Sequence, residues 1–296
     1  MGTAMTHRAA VLTMLAATLM WSIAGVVTRQ LDAVHSFEVT FWRSAFAVPA
    51  LVVLLTALRG PQALWHTLRT GGATLWLSGL CWAVMCTAFM VALTLTTVAN
   101  VLVTLALTPL LTALMARFLL GHRLAARTWG AIGVAGLGLV WMYARELDSA
   151  DSRQWLGTVV ALSVPVAAAV NWTVIQHSRH GSDRDLLPAV LIGVLLAAAV
   201  ALPFALPFAT SVHDLSLLAL LGVVQLAIPC LMAVAAARFL SAPEAALLAL
   251  LEVIFGVAWA WLGANETPAV HVLGGGALVL IALAGNEALA LRRPRQ

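Results

Sequence analysis

The chain reads as a succession of long apolar runs separated by short polar connections. Runs of membrane-crossing length lie near 8–29, 36–58, 71–95, 98–120, 126–145, 155–178, 186–207, 215–237, 240–263 and 268–291. Each supplies about 20 residues, enough for a helix to cross a ~30 Å hydrocarbon layer. The runs are continuous rather than alternating, which excludes a β-barrel of half-buried strands. The pattern predicts an all-α membrane protein of ten transmembrane helices with no sizeable domain outside the bilayer. The first run has the look of a signal-peptide core, but it is long enough to span and is read as retained.

Composition supports the same class. Of 296 residues, 62% are hydrophobic and 9% charged, against roughly 45–50% and about 25% in soluble domains. The formal charge of +4 is therefore not a nucleic-acid signature. All sixteen basic residues are arginine. Twelve (Arg8, Arg59, Arg69, Arg117, Arg123, Arg127, Arg179, Arg184, Arg238, Arg292, Arg293, Arg295) fall at one set of span ends, and only Arg29, Arg145 and Arg153 at the other. Positive charge favours the cytoplasmic side, so both termini are expected there. The three cysteines, Cys81, Cys86 and Cys230, lie inside apolar runs without ligand spacing, which argues against disulfides and a metal site.

The longest polar connection, "ARELDSADSRQ" (144–154), leaves five expected spans on each side. An odd number per half turns a repeated half upside down. Residues 108–133, "TPLLTALMARFLLGHRLAARTWGAIG", faintly echo 252–277, "EVIFGVAWAWLGANETPAVHVLGGGA". Further patterns are "LMWSIAG" (19–25), "FWRSAFA" (41–47), "LSAPEAALLALLEVIFG" (240–256) and "LGANET" (262–267). In these, each half resembles the EamA-type unit of the drug/metabolite transporter superfamily, and within it the YddG-like amino-acid exporters. The resemblance implies two inverted five-helix repeats, 8–145 and 155–291, in a multi-pass protein of the bacterial inner membrane. Two positions depart from the family pattern: Val253 stands where a proline is expected, and His122 where a glutamate follows Gly121.

The stretch "LLALLEVIFGVAWAWL" (247–262) holds one carboxylate, Glu252, in an otherwise apolar run. Ala245, Ala249 and Gly256 form a small-residue stripe beside it, which suits helix packing and turns the acid inward. By the ~1.5 Å helical rise it lies about 18 Å deep, and Arg43, entering from the other side, about 10 Å. In a ~30 Å layer the two depths allow pairing. Intramembrane charges are functional candidates: Glu252 can carry a proton or meet an amine, and Arg43 can meet a carboxylate. The family carries an acid at this step across unlike substrates, which puts a structural duty first for Glu252.

Eight of the eleven tryptophans (Trp42, Trp65, Trp76, Trp129, Trp141, Trp155, Trp259, Trp261) fall near span ends, where indoles favour the interface. Trp21, Trp82 and Trp172 fall mid-span, and an indole N–H there needs a partner or a wet cavity. Small residues around Trp21 (Ala17, Thr18, Ala24, Gly25, Thr28) suggest a cavity face. Asn171 and Gln225 are mid-membrane amides. Each residue singly fits interhelical packing; together they outline a substrate-binding cavity at the midplane. Pro165, Pro188, Pro203, Pro207 and Pro229 are kinks or hinges. The glycines of the fifth and tenth runs pack helices or form the face of a homodimer.

These readings predict a secondary transporter exporting amino acids, aromatic or otherwise small and zwitterionic, by alternating access. The partners expected are a small-molecule substrate and the lipid bilayer, with no nucleic acid and no cofactor. The alternative is uptake or exchange of another metabolite, such as a nucleobase, vitamin or sugar derivative. A membrane enzyme would want HExxH, GxSxG or paired intramembrane aspartates, none of which is present. A channel would want charge rings or a carbonyl filter.

Overall fold

A computed structural model describes residues 5–32, 35–120, 126–148, 152–181, 186–236, 239–240 and 242–291. Among them are only helices and their connections, with no strand. In chain order these are α1 (His7–Ser22), α2 (Ala24–Thr28), α3 (Ser36–Arg59), α4 (Pro61–Thr70), α5 (Gly72–Leu95), α6 (Val98–Leu105), α7 (Thr108–Leu120) and α8 (Ala126–Asp148). There follow α9 (Ser152–Gly181), α10 (Pro188–Ala205), α11 (Val212–Leu220), a π-helical turn (Leu221–Ala227), α12 (Ile228–Ala236), α13 (Ala242–Ala264) and α14 (Val270–Leu291).

Seven helical stretches among the described residues are long and apolar enough to cross a membrane: His7–Thr28, Ser36–Arg59, Gly72–Leu95, Val98–Met115, Ser152–Val174, Pro188–Ala205 and Val212–Ala236. Leu251–Ala264 and Val270–Asn286 are shorter apolar stretches. The chain is thus a multi-pass integral membrane protein. Helix α4 is absent from the sequence reading. Its ten residues, PQALWHTLRT, start on Pro61 at the helix N-terminus, bury Leu64 and leave Trp65 57% exposed beneath Arg69, whose guanidinium carbon lies 4.5 Å from the ring centroid. That is the pattern of a helix lying along an interface rather than through it.

Three apolar rods are interrupted, and each break has a local cause. At Ile23, the Ser22 hydroxyl donates to the Leu19 carbonyl at 2.8 Å, competing with the backbone N–H that would continue the helix. Between α6 and α7, Pro109 cannot supply the N–H due to Leu105, and the Thr108 hydroxyl donates to that carbonyl instead, at 2.7 Å. In the third, Pro229 would collide with the Gln225 carbonyl in a regular α-helix. The chain widens there into the π turn, where the Ile228 N–H donates to the Val223 carbonyl. By contrast α13 runs unbroken through Val253, as expected where the family's proline is missing.

The residues before and after the central connection are interleaved. Helix α1 packs on α12 and α13; α9 packs on α5, α6 and α7. Helix α3 packs on α10 and the π turn, while α10 packs on α3 and α5. Helices α8 and α14 pair with each other, as do α6 and α13. Close approach depends on glycine where α14 meets α8 and where it meets α6: a Cβ on Gly138 would lie 3.1 Å from the Cβ of Leu278, and one on Gly276 would lie 2.9 Å from Val103. Part of the glycine set therefore packs α8 and α14 internally. Gly130, Gly133 and Gly136 face open space.

Candidate functional site

The centre of the bundle is built around Arg43. It sits two turns into α3 and is 3% exposed. The π turn crosses α3 here because Gly222 carries no side chain: a Cβ would press on the Arg43 carbonyl and lie 2.9 Å from Phe46 Cβ and 3.0 Å from Ala47 N. Three residues on, Gln225 is brought onto the guanidinium. Arg43 donates to Gln225 Oε1 from Nε at 3.2 Å and from Nη2 at 2.9 Å. Its Nη1 reaches the Cys86 carbonyl at 3.5 Å, and the Phe89 ring centroid lies 6.0 Å from Cζ.

Gln225 also holds the first rod. Its Nε2 donates to the Trp21 carbonyl at 3.3 Å, next to the break at Ile23. Cys230, the residue directly after Pro229, is buried and lies close to the Trp21 side chain. Trp21, Arg43 and Gln225 therefore share one neighbourhood, at the meeting of α1, α3 and the π turn, while Glu252 lies on α13, which packs on α1. Glu252 is half-buried. Its helix is fixed to α1 one turn on either side, where Thr18 donates to the Leu248 carbonyl at 3.5 Å and Gly256 abuts Leu102 and the Ser22 carbonyl.

The pairing of Arg43 with Glu252 that depth alone allows is not formed. No guanidinium nitrogen lies within 4 Å of the carboxylate, and none of the described hydrogen bonds uses Glu252. Arg43 is a buried cation held by an amide. The remaining expected residues lie elsewhere. Trp82 is 5% exposed and packs against Gly193 between α5 and α10. Asn171 accepts a hydrogen bond from Ser78 at 2.6 Å between α9 and α5, with both residues buried. Trp172, its neighbour, is half-buried. The small residues around Trp21 are packed rather than lining a cavity face: Ala17 is 0%, Thr18 0% and Ala24 1% exposed.

At the end of the bundle remote from the start of α1, several polar residues outside the expected set tie segments together. Arg29, just after α2, donates to Glu266 Oε2 at 2.6 Å, to the Leu93 carbonyl at 2.9 Å and to the Thr96 carbonyl at 2.7 Å. Glu266 Oε1 in turn accepts from the Val98 N–H at 2.7 Å. Glu38, 0% exposed, accepts from the Ala209 and Thr210 N–H groups, each at 2.9 Å, and from the Thr210 hydroxyl. Asp214 accepts from the Asp32 N–H at 3.1 Å and is capped by Ser211. Asp32, His213 and Asp214 bring ligand-type atoms within 4.8 Å of one another, but Asp214 is already satisfied as part of a helix N-cap. The available sequence signal was that these acids border connections; which arginine or amide each would meet is set only by packing.

A solved structure titled "Crystal structure of protein" superposes with a TM-score of 0.64 at 18% identity, covering 98% of this chain and 100% of that one. It establishes likeness of fold. A search of curated proteins finds no match. The family model described as "EamA-like transporter family" matches twice, over residues 8–144 and 155–286. With both halves matched, and with a helical membrane bundle that joins them at a buried polar centre, the chain belongs to the EamA-like transporter family, whose members are membrane transporters of small molecules.

Proposed function

We propose that the protein is a secondary transporter exporting amino acids, aromatic or otherwise small and zwitterionic, by alternating access about the Arg43 centre. Ten transmembrane helices form two inverted five-helix repeats, 8–145 and 155–291, with both termini cytoplasmic in a bacterial inner membrane. The interchange of packing partners supports the repeat: α1 contacts α12 and α13 as α9 contacts α5, α6 and α7, and α3 contacts the π turn as α10 contacts α5. Transporters of inverted-repeat design carry their site at the repeat interface near the midplane.

The observation that carries the reading is the uncompensated guanidinium. Arg43 is 3% exposed and held by Gln225 and a backbone carbonyl. A charge at the centre of a membrane helix costs roughly 2.5–3.5 kcal/mol on insertion scales, and a solute carboxylate would supply the missing counter-charge. Trp21 and Phe89 give apolar contact for a side chain beside it, and Glu252, on the α13 that packs on α1, is the acid for an ammonium group. Asn171, Trp82 and Trp172 support the α5–α9–α10 wall.

The test is efflux from proteoliposomes loaded with a panel of labelled amino acids, with and without a pH gradient. Saturable movement of aromatic or small neutral amino acids is expected. Movement of only solutes that lack a carboxylate would overturn the substrate reading.

A further inference from the structure

We propose that Gln225 is a built-in stand-in for the carboxylate of the transported solute. Its amide oxygen occupies the edge of Arg43 that the solute must take, and binding proceeds by displacing it. The inference rests on the amino-acid reading above. It adds a residue that sets affinity and couples binding to movement between the two halves.

Geometry motivates the idea. Arg43 presents Nε and Nη2 along one edge, the edge that grips a carboxylate with two parallel bonds. Both nitrogens converge on the single oxygen of Gln225, at 3.2 and 2.9 Å. An amide oxygen fills the position but carries no net charge, so the cation stays uncompensated. A carboxylate in its place adds a second acceptor and a counter-charge in a medium where both count for more. Exchange of amide for carboxylate on the same edge is therefore favourable without any new pocket being built.

The stand-in is also placed to report its own displacement. Through one side chain Gln225 bonds Arg43 on α3 and the Trp21 carbonyl beside the break in α1. Both partners precede the central connection, whereas Gln225 follows it. Losing the Arg43 bond leaves the amide without its main acceptor contact and loosens the side-chain bond that ties the π turn to α1. Gly222 and the π turn set where Gln225 starts, and its own side-chain rotations suffice to release it. A fixed carboxylate here would form a permanent ion pair and exclude the solute. A purely apolar residue would leave the empty site with an unsatisfied cation.

A purely structural Gln225 makes the opposite prediction, because removing it would then weaken the site. The experiment uses the purified full-length chain in detergent, with affinity measured calorimetrically for L-phenylalanine, 3-phenylpropionate and L-phenylalaninamide. Gln225→Ala is expected to bind the two carboxylates about tenfold tighter than the unaltered protein, a difference of one hydrogen-bond competitor, with no gain for the amide. Gln225→Glu provides a variant that does not depend on tolerance of a cavity. It should melt higher without ligand and lose its response to both carboxylates. Equal or weaker carboxylate binding by Gln225→Ala, an equal gain for the amide, or no carboxylate response in any variant would overturn the proposal. Efflux from proteoliposomes separates the two claims. Displacement behaviour without L-phenylalanine efflux would remove the transport reading and leave the stand-in standing. Efflux with no tightening in Gln225→Ala would do the reverse.

Discussion

Replacing Glu266 by alanine tests whether the polar clip at the end remote from the start of α1 holds that end closed. The side chain makes the 2.6 Å ion pair with Arg29 and accepts from the Val98 N–H at 2.7 Å. The two charged side chains are 28% and 18% exposed, so solvent screens them only in part. Hydrogen bonds to charged groups are worth roughly 1.5–3 kcal/mol each. Arg29 keeps its bonds to the Leu93 and Thr96 carbonyls, and water can replace part of what is lost. A net loss of about 2–3 kcal/mol follows, at the scale of one charge-assisted bond. If closure is a two-state equilibrium, that shifts the open population by a factor of roughly 30–150. The reporter is Thr28→Cys, a near-isosteric change at a residue 7% exposed just inside the clip. The three native cysteines are buried, so a membrane-impermeant maleimide reads the introduced thiol. Its modification rate should rise at least tenfold in the Glu266→Ala background, and Arg29→Met should give a similar rise. Arg29→Met also removes the bonds to the Leu93 and Thr96 carbonyls, so the double change should raise the rate further, but by less than the two single effects combined, because the ion pair is lost only once. An unchanged modification rate in either variant would refute the idea that this clip holds the end shut.

Three other outcomes follow from the geometry. Gly222→Ala pushes a methyl group onto the Arg43 carbonyl and the Ala47 nitrogen, so it should cost about 1–3 kcal/mol of stability and lower the melting temperature of the purified protein. Trp21→Ala should cut efflux while membrane abundance stays near normal, whereas Trp82→Ala, which empties the α5–α10 seam, should lower both; quantitative immunoblots beside the efflux assay separate them. Glu252→Gln should retain efflux if the acid serves packing, and loss of pH-gradient-driven efflux in that variant with normal abundance would assign it to proton coupling.

The helices were legible because apolar length is a strong signal, whereas proline was an uneven guide to the breaks: Pro165 and Pro203, expected as kinks or hinges, lie inside continuous helices. Of the expected kinks Pro229 marks a real interruption; Pro109, not among them, marks another, and the break at Ile23, set by a serine back-bond, has no comparable mark in "LMWSIAG". Helix α4 was missed because ten amphipathic residues between two long runs look like a loop when only span-length stretches are counted. Sequence position carries the depth of a residue in the bundle and not its direction. Position along the chain placed Trp21, Arg43, Gln225 and Glu252 at comparable depth; the first three are joined by hydrogen bonds, and Glu252 makes none with them. The same criterion added Trp82 and Asn171, whose helices turn those side chains to the α10 and α9 seams instead. Azimuth is decided by where glycine permits close approach: Gly222 against α3 and Gly193 against α5.

The contrast between Arg29 and Arg43 bears on why the central cation lacks an acid. Arg29 lies at a connection, where a carboxylate partner makes a firm tie between segments that must hold or release as a unit. Arg43 bonds across the central connection, and its partner is the Gln225 amide although Glu252 lies at a comparable depth along the chain. A buried ion pair with one partner removed costs roughly 3–5 kcal/mol, so under the alternating access proposed above an Arg43–Glu252 pair would have to be broken at that cost in each cycle. An amide leaves a smaller debt and a charge still available to an incoming anion. On the proposed reading the sequence separates two tasks that an acid on Arg43 would merge: closing an end of the bundle and recognising what passes through its centre.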